Sequence, residues 1–368
     1  YISFLIMSED MVSSPSLWRP PVPIKDAIEQ DAITPFPKPE APEEEEEESQ
    51  GDCYRRLMSS LPVKVYGERR YLEYQATWWP ESAVQAVIAI QRRFRPRPSD
   101  VLLASYPKSG TTWMKALVFA IMSRKVYPLR DHPLLRLNPH DCVVHLSGAY
   151  ATGKEAVVEA LPSPRIMAVH MPFSTLPASV VVDSSSGCKI VYVWRDPKDV
   201  LVSLWHYYRK LRPEEAHVSE FHDLYESFCQ GDTVFGPWWD NVLGYFRASV
   251  EMPTRVLFLR YEDMLEDTAS AVVAIANFVG CPFSAEEERA GVVDAIVKLC
   301  SFEELKNLDT NMSGSNGHLI KLPSSSYFRK GVAGDWVGHM TREMADRIDS
   351  IIQGKFQGSG LEIKRAST

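Results

Sequence analysis

The chain has 368 residues, 45% of them hydrophobic, and a formal net charge of −8, enough for one large domain or two small ones with a sizeable core. The charge is uneven: residues 1–51 hold 12 acids and 3 bases, and the rest hold 36 and 37, so the near-neutral body excludes a broad nucleic-acid surface and must concentrate charge locally at any anion site. No apolar run approaches the ~20 residues of a membrane span, and none of the six cysteines forms a CxxC pair or stands at zinc-site spacing.

Residues 1–51 contain eight prolines and end in Glu43 to Glu48. Such a stretch has too little apolar surface to offset its conformational entropy, so a solvated, disordered acidic tail is expected there. The opening "YISFLIM" is short, lacks a basic flank and meets "SED" at once, which makes a poor signal peptide. The chain opens on Tyr1, with Met7 and Met11 as alternative starts. Free thiols in a reducing compartment are expected, and a soluble, cytosolic protein.

From about Cys53 the texture changes. Residues 54–80 are aromatic, basic and mixed in pattern, and "ESAVQAVIAIQRRF" then reads as helical. "RPRPSD" breaks the chain before "VLLASYP", a short apolar run suited to a buried strand. "TTWMKALVFAIMSR" has helical length and periodicity, so "YPKSGTTW" (106–113) lies on a strand–helix loop. "RIMAVH" (165–170), "KIVYVWR" (189–195) and "RVLFLRY" (255–261) read as three further strands, each followed by helix-like sequence. Asp196 stands as N-cap, with Pro197 the first helical residue. The expected fold is α/β: a single P-loop-like domain over 52–363, with a central, mostly parallel sheet flanked by helices on both faces and a frayed tail at 364–368. Ligands of such sheets bind at the carboxyl ends of strands, which gathers 106–112, 170–173, 195–203 and 261 onto one edge. The polar, Gly/Ser-rich segment 305–336 is too long for a neutral connector, so it is disordered, a lid or part of the site.

The loop at 106–113 offers helix N-terminal amides, the hydroxyls of Ser109, Thr111 and Thr112, and the charge of Lys108: an anion cradle. It is not GxxxxGK[ST], because its lysine stands before Gly110. Taken alone, it is equally an ordinary strand–helix turn. Arg195 leaves a strand beside a capped helix, placed for bidentate phosphate contact or for an ion pair with Asp196 or Asp199. "FRKGVAGDW" offers Arg329, Lys330 and Gly331, two cations beside a glycine, which is an anion contact or a solvated basic turn.

With "YPKSGTTW", "YVWRDPKDVLVS" and "FRKGVAGDW" in this order, the chain resembles the cytosolic sulfotransferase family, and its wording is similar to the plant soluble members. The resemblance runs from about Tyr54 to Ile363. It implies the donor 3′-phosphoadenosine 5′-phosphosulfate (PAPS), with 3′,5′-ADP as product and no metal. It implies that Lys108, Ser109, Gly110, Thr111 and Thr112 hold the 5′-phosphosulfate and that Trp113 stacks on the adenine. Arg195 and Ser203, joined by Arg329, Lys330 and Gly331, would hold the 3′-phosphate, with Tyr261 and Phe302 near the adenine. Cys300 stands where the family often has Ser or Thr. His170 matches the catalytic base, and a neutral imidazole suits removal of a proton from an attacking hydroxyl. Lys108 would stabilise charge on the leaving phosphate. Where some members carry a lysine two residues before the histidine, this chain has Ala168. His206 is expected in packing or in the acceptor pocket. Phe173, Tyr207, Phe235, Trp238 and Trp239 are candidates to line that pocket, which suits a small hydroxylated acceptor: a flavonoid, a steroid-like or a jasmonate-like molecule. Two other readings stay open, a Mg²⁺-dependent kinase or NTPase and a non-catalytic nucleotide binder. The animal dimer motif KxxxTVxxxE has no match, which leaves the oligomeric state open.

Overall fold

The structure, a computed structural model, describes residues 20–29, 54–66, 69–182, 187–211, 221–316 and 322–363. Residues 20–29 correct the expectation of a solvated tail through to 51. They include a short helix, Ile24–Glu29, whose Ile24 and Ala27 are each 2% exposed. Spaced three apart, these two side chains share one face and bury it against the body. Asp26 on the same helix accepts a hydrogen bond from Arg136 at 2.9 Å. The rest of 1–51, including Glu43 to Glu48, lies outside the described residues.

Residues 63–80 form an antiparallel meander of β1 (Val63–Tyr66), β2 (Arg69–Tyr74) and β3 (Thr77–Pro80). The β2–β3 turn is made by Gln75 and Ala76, both at positive φ (52° and 55°). Two-residue hairpins of this hand normally carry Asn-Gly or Gly-Gly, so the sequence lacks the signal that would have marked the turn.

The four expected strands are present. They are β4 (Val101–Ser105), β6 (Ile166–Val169), β7 (Lys189–Trp194) and β8 (Val256–Arg260), joined by a short β5 (Val144–His145) that is too brief to show a pattern in the sequence. All pair in parallel in the order β5-β6-β4-β7-β8. Alternate residues enter two separate cores. Leu102, Ala104, Met167, Val169, Ile190 and Tyr192 pack on one face, and Val101, Leu103, Ile166, Ala168, Val191 and Val193 on the other. A strand buried on both faces needs apolar residues at every position, which is why these runs are continuous rather than alternating. Helix Thr111–Ser123 is buried around most of its surface, from Met114 through Ser123, as a helix wedged under a sheet must be.

Because the strands are parallel, their carboxyl ends lie on one edge. Ser105, Val169, Trp194 and Arg260 end there, and the loop 106–110, His170, Arg195 and Tyr261 follow them. The central β4 lies between β6 and β7, the point where the chain switches from one half of the sheet to the other and where a crevice opens. Of 305–336, the described part is folded into short helices, turns and a two-residue antiparallel strand pair, Ser315–Asn316 with Leu322–Pro323; 317–321 lie outside it. Among the described residues, no helix is long and apolar enough to cross a membrane. Cys142, Cys188, Cys229, Cys281 and Cys300 are free thiols, and Cys53 lies outside the described residues.

Candidate functional site

The loop after β4 turns through two left-handed residues, Lys108 (φ 69°) and Gly110 (φ 107°). Gly110 caps helix Thr111–Ser123 without a side-chain bond, so the first-turn amides keep their donors for another partner. A Cβ on Gly110 would stand 2.8 Å from Cδ2 of Tyr261; only glycine lets backbone and ring approach so closely. Thr111 Oγ1 is spent on Ser105 Oγ at 2.6 Å. Ser109 Oγ is buried and, among the described residues, has no partner. A buried hydroxyl without a partner is costly, and one at a helix N-terminus suits an anion.

Cations converge on this loop from three segments. Arg195 donates to the Val332 carbonyl at 2.7 Å and approaches Lys108 O at 3.4 Å and Asp199 Oδ2 at 3.4 Å. Its guanidinium lies 4.7 Å from the Tyr261 ring centroid, and its Nε has no partner among the described residues. Arg195 therefore pairs with Asp199 and keeps a donor. Asp199 also accepts from the amides of Gly334 (2.8 Å) and Trp336 (3.0 Å), tying the 329–336 turn to helix Pro197–Leu211. Asp196 Oδ1 accepts from Lys198 N at 2.9 Å, the expected cap. Arg329 and Lys330 both pair with Asp335. Burial alone would raise the Asp335 carboxyl, but hydrogen bonds from Lys330 and Arg329 outweigh it and hold the group down at about 2. Gly331 sits at φ 70°, and a Cβ there would lie 2.5 Å from the Phe302 ring. Lys108 Nζ lies 4.1 Å over the Tyr207 ring. Burial, then the charges of Arg195, Arg329 and Lys210, pull this ammonium down to about 7. Such mutual repulsion is relieved by an anion among the cations.

His170 follows β6. Its Nδ1 donates to the Ser105 carbonyl at 2.8 Å, which fixes the tautomer and leaves Nε2 as the acceptor. The ring lies 4.8 Å from His145 and 5.6 Å from Phe235, centroid to centroid. Burial pushes His170 down to about 4, against the opposing Ser105 bond and with help from Lys115 and Lys108. The imidazole is therefore neutral at physiological pH.

One cavity of about 470 Å³ joins these groups. It is lined by Lys108, Gly110, Thr111, Thr112, Trp113, His170, Arg195, Ser203, Tyr261, Phe302, Arg329, Lys330 and Gly331. Of the expected site residues only Ser109 is absent from the lining, being fully buried beneath it. Cys300 also lines the cavity. Among the acceptor candidates Tyr207 and Phe235 line it, but Phe173, Trp238 and Trp239 do not. Trp238 and Trp239 open helix Trp238–Glu251 and are 1% and 4% exposed within the core, and Phe173 packs edge-on against Tyr245. His206 is outside the lining, packed beside Trp205 and His339, which selects the packing alternative. Tyr71, His140, Tyr208 and Tyr327 line the cavity unforeseen. Tyr327 belongs to the 305–336 segment, whose described part thus contributes to the site.

The sulfotransferase-domain family model matches residues 98–360. Cytosolic sulfotransferase 5 of Arabidopsis thaliana is 41% identical over 315 residues, covering 84% of this chain and 95% of the relative. Flavonol 4′-sulfotransferase of Flaveria chlorifolia is 38% identical, covering 86% and 98%. Among solved structures, a mouse sulfotransferase complexed with PAP aligns at 25% identity with a TM-score of 0.60, covering 79% of this chain and 96% of that one.

Proposed function

The chain belongs to the sulfotransferase family, and on that premise we propose that it is a cytosolic, PAPS-dependent enzyme that sulfates the hydroxyl of a small apolar acceptor: a flavonoid, steroid-like or jasmonate-like molecule. The observation that carries the reading is that one cavity holds both the cation cluster of Lys108, Arg195 and Arg329 and the neutral His170. The residues fit the donor. A partnerless buried Ser109 hydroxyl, free helix amides and a repelled Lys108 ammonium ask for an anion on the loop, and Arg195 and Arg329 offer a second anion position.

When bound, PAPS supplies the sulfuryl group that moves to the acceptor oxygen, leaving 3′,5′-ADP. His170 Nε2 takes the acceptor hydroxyl proton. Its tautomer is set by Ser105 O, and its low pKa keeps the acceptor form present at neutral pH. Lys108 and the loop amides hold the negative charge left on the phosphate side. Tyr207 and Phe235 give the acceptor an aromatic wall, and no step calls for a metal. The mouse neighbour is complexed with PAP, and the Flaveria relative is named for a flavonol; both support the reading by similarity.

The test is incubation with PAPS and a panel of hydroxylated flavonoids, steroids and jasmonates, read by mass spectrometry with EDTA present. Sulfated product and 3′,5′-ADP are expected. His170→Ala should abolish turnover and keep 3′,5′-ADP binding. Turnover that survives this change overturns the assigned base, and turnover that requires added Mg²⁺ overturns the metal-free mechanism.

A further inference from the structure

A lysine is buried directly behind the loop. Lys115, one turn into helix Thr111–Ser123, is 0% exposed. Its Nζ meets His140 Nδ1 at 3.1 Å and donates to the Val143 carbonyl at 2.9 Å. The other ring nitrogen, His140 Nε2, lies 3.0 Å from Thr112 Oγ1. His140 is held at two further points, ring and backbone. It stacks on Tyr327 at 3.9 Å between centroids, and its backbone N–H donates to Asn138 Oδ1 at 2.9 Å. Lys115, His140 and Thr112 thus form a chain that ends on a cavity-lining hydroxyl.

The chain has a direction. Burial, and then the charges of Lys115, His145, Lys108 and His170, hold His140 well below the ordinary range, so the ring is neutral and carries one N–H. With Lys115 charged, its ammonium has donors only, so His140 Nδ1 accepts from it and the ring proton sits on Nε2. That N–H donates to Thr112 Oγ1, whose own hydrogen must go elsewhere. Among the described residues Thr112 Oγ1 has no other hydrogen-bond partner, and it faces the cavity. We propose that Lys115 and His140 are positioning residues, which fix Thr112 as a hydrogen-bond donor to the anion held on the 108–112 loop. The inference rests on the reading of that loop as the donor site. Reversed, with the imidazole proton on Nδ1, Thr112 would donate back to His140 and turn lone pairs toward the anion. Burial pulls Lys115 down to about 7, with Cys142 and Asp141 opposing. An anion on the loop favours the charged lysine, so the bound anion and the chain direction reinforce each other.

The test uses the full chain and 3′,5′-ADP, with affinity read by calorimetry and folding by thermal melts. Thr112→Val and His140→Phe, the latter keeping a ring over Tyr327, should each weaken binding about 10-fold, the scale of one hydrogen bond to a charged group. His140→Gln sets an acceptor and a donor at much the same separation as the imidazole nitrogens, and should recover affinity to within about 3-fold of wild type. In a Thr112→Val background, His140→Phe should cost no more than about 2-fold further, because its route to the anion is already cut. Unchanged affinity in His140→Phe, failure of Gln to rescue, or full additivity with Thr112→Val overturns the proposal. If His140→Phe does not fold, Lys115→Met takes its place in the same cycle, with the same expectation of non-additivity. Wild-type protein that fails to bind 3′,5′-ADP overturns the donor reading itself, a result distinct from tight wild-type binding with equally tight variants.

Discussion

Gly110→Ala tests a close backbone-to-ring approach in the site. The glycine sits at φ 107°, outside the comfortable range of an L side chain, so alanine there carries about 1–3 kcal/mol of backbone strain. The new methyl also lands 2.8 Å from Tyr261 Cδ2 and 3.1 Å from Cε2, well inside van der Waals contact. Relieving that overlap adds about 1–3 kcal/mol, for about 2–6 kcal/mol in all, against a typical stability of about 5–15 kcal/mol. The protein should therefore fold, with a lowered melting temperature. The functional cost arises because Tyr261 must move. Its ring stands edge-on to Trp113 at 5.5 Å and under Arg195 at 4.7 Å, so displacing it shifts two proposed donor contacts. Affinity for 3′,5′-ADP should fall at least about 10-fold. Urea unfolding and calorimetry measure the two effects. In a Tyr261→Ala background the clash is gone and only the strain should remain, about 1–3 kcal/mol. Wild-type stability and affinity in Gly110→Ala would refute the close-approach argument.

Two further outcomes follow from charge. Burial lowers both His132 and His170 from 6.5 to about 4 in the folded chain, so their stabilising contribution is fully present above 6.5 and is lost as pH falls from 6.5 toward 4. Between pH 7 and pH 5 each should cost about 2 kcal/mol, visible in urea unfolding at the two pH values. At His132 the hydrogen-bond geometry acts in the same direction as burial. Nδ1 accepts Leu134 N–H at 3.2 Å, and Ser123 Oγ donates to Phe119 O at 2.6 Å while accepting from His132 Nε2 at 3.0 Å, so a second ring proton would face a donor. His132→Gln should remove that group's share of the acid loss, and an unchanged pH dependence would count against the assignment. Arg195→Met should lower 3′,5′-ADP affinity about 100-fold, the scale of two charge-assisted hydrogen bonds, while leaving binding of unphosphorylated adenosine unaltered. Equal losses for both ligands would assign Arg195 to scaffold alone.

The parallel sheet is legible in the amino-acid sequence. Runs such as "VLLAS" and "KIVYVW" are legible because burial on both faces demands apolar residues throughout, whereas the loop with Lys108, Ser109 and Gly110, equally an ordinary turn by itself, reads as an anion cradle only together with the distant Arg195 and Arg329 segments. Local signals failed where the deciding contact is distant in the chain. Gln75-Ala76 turns a hairpin without the residues that announce one, and Ile24–Glu29 is too short and too Pro-flanked to be distinguished from tail until its Ile24–Ala27 face meets the body. Trp238 and Trp239 suit the pocket by their chemistry, yet the orientation of their helix sends them into the core. Conversely Tyr71, His140 and Tyr327 reach the cavity from a hairpin, a short turn and a late loop, where an aromatic or histidine has no local periodicity to mark its destination. Residue type sets what a side chain can do; which cavity it does it in depends on the packing of segments dozens to hundreds of residues apart, which no local pattern records.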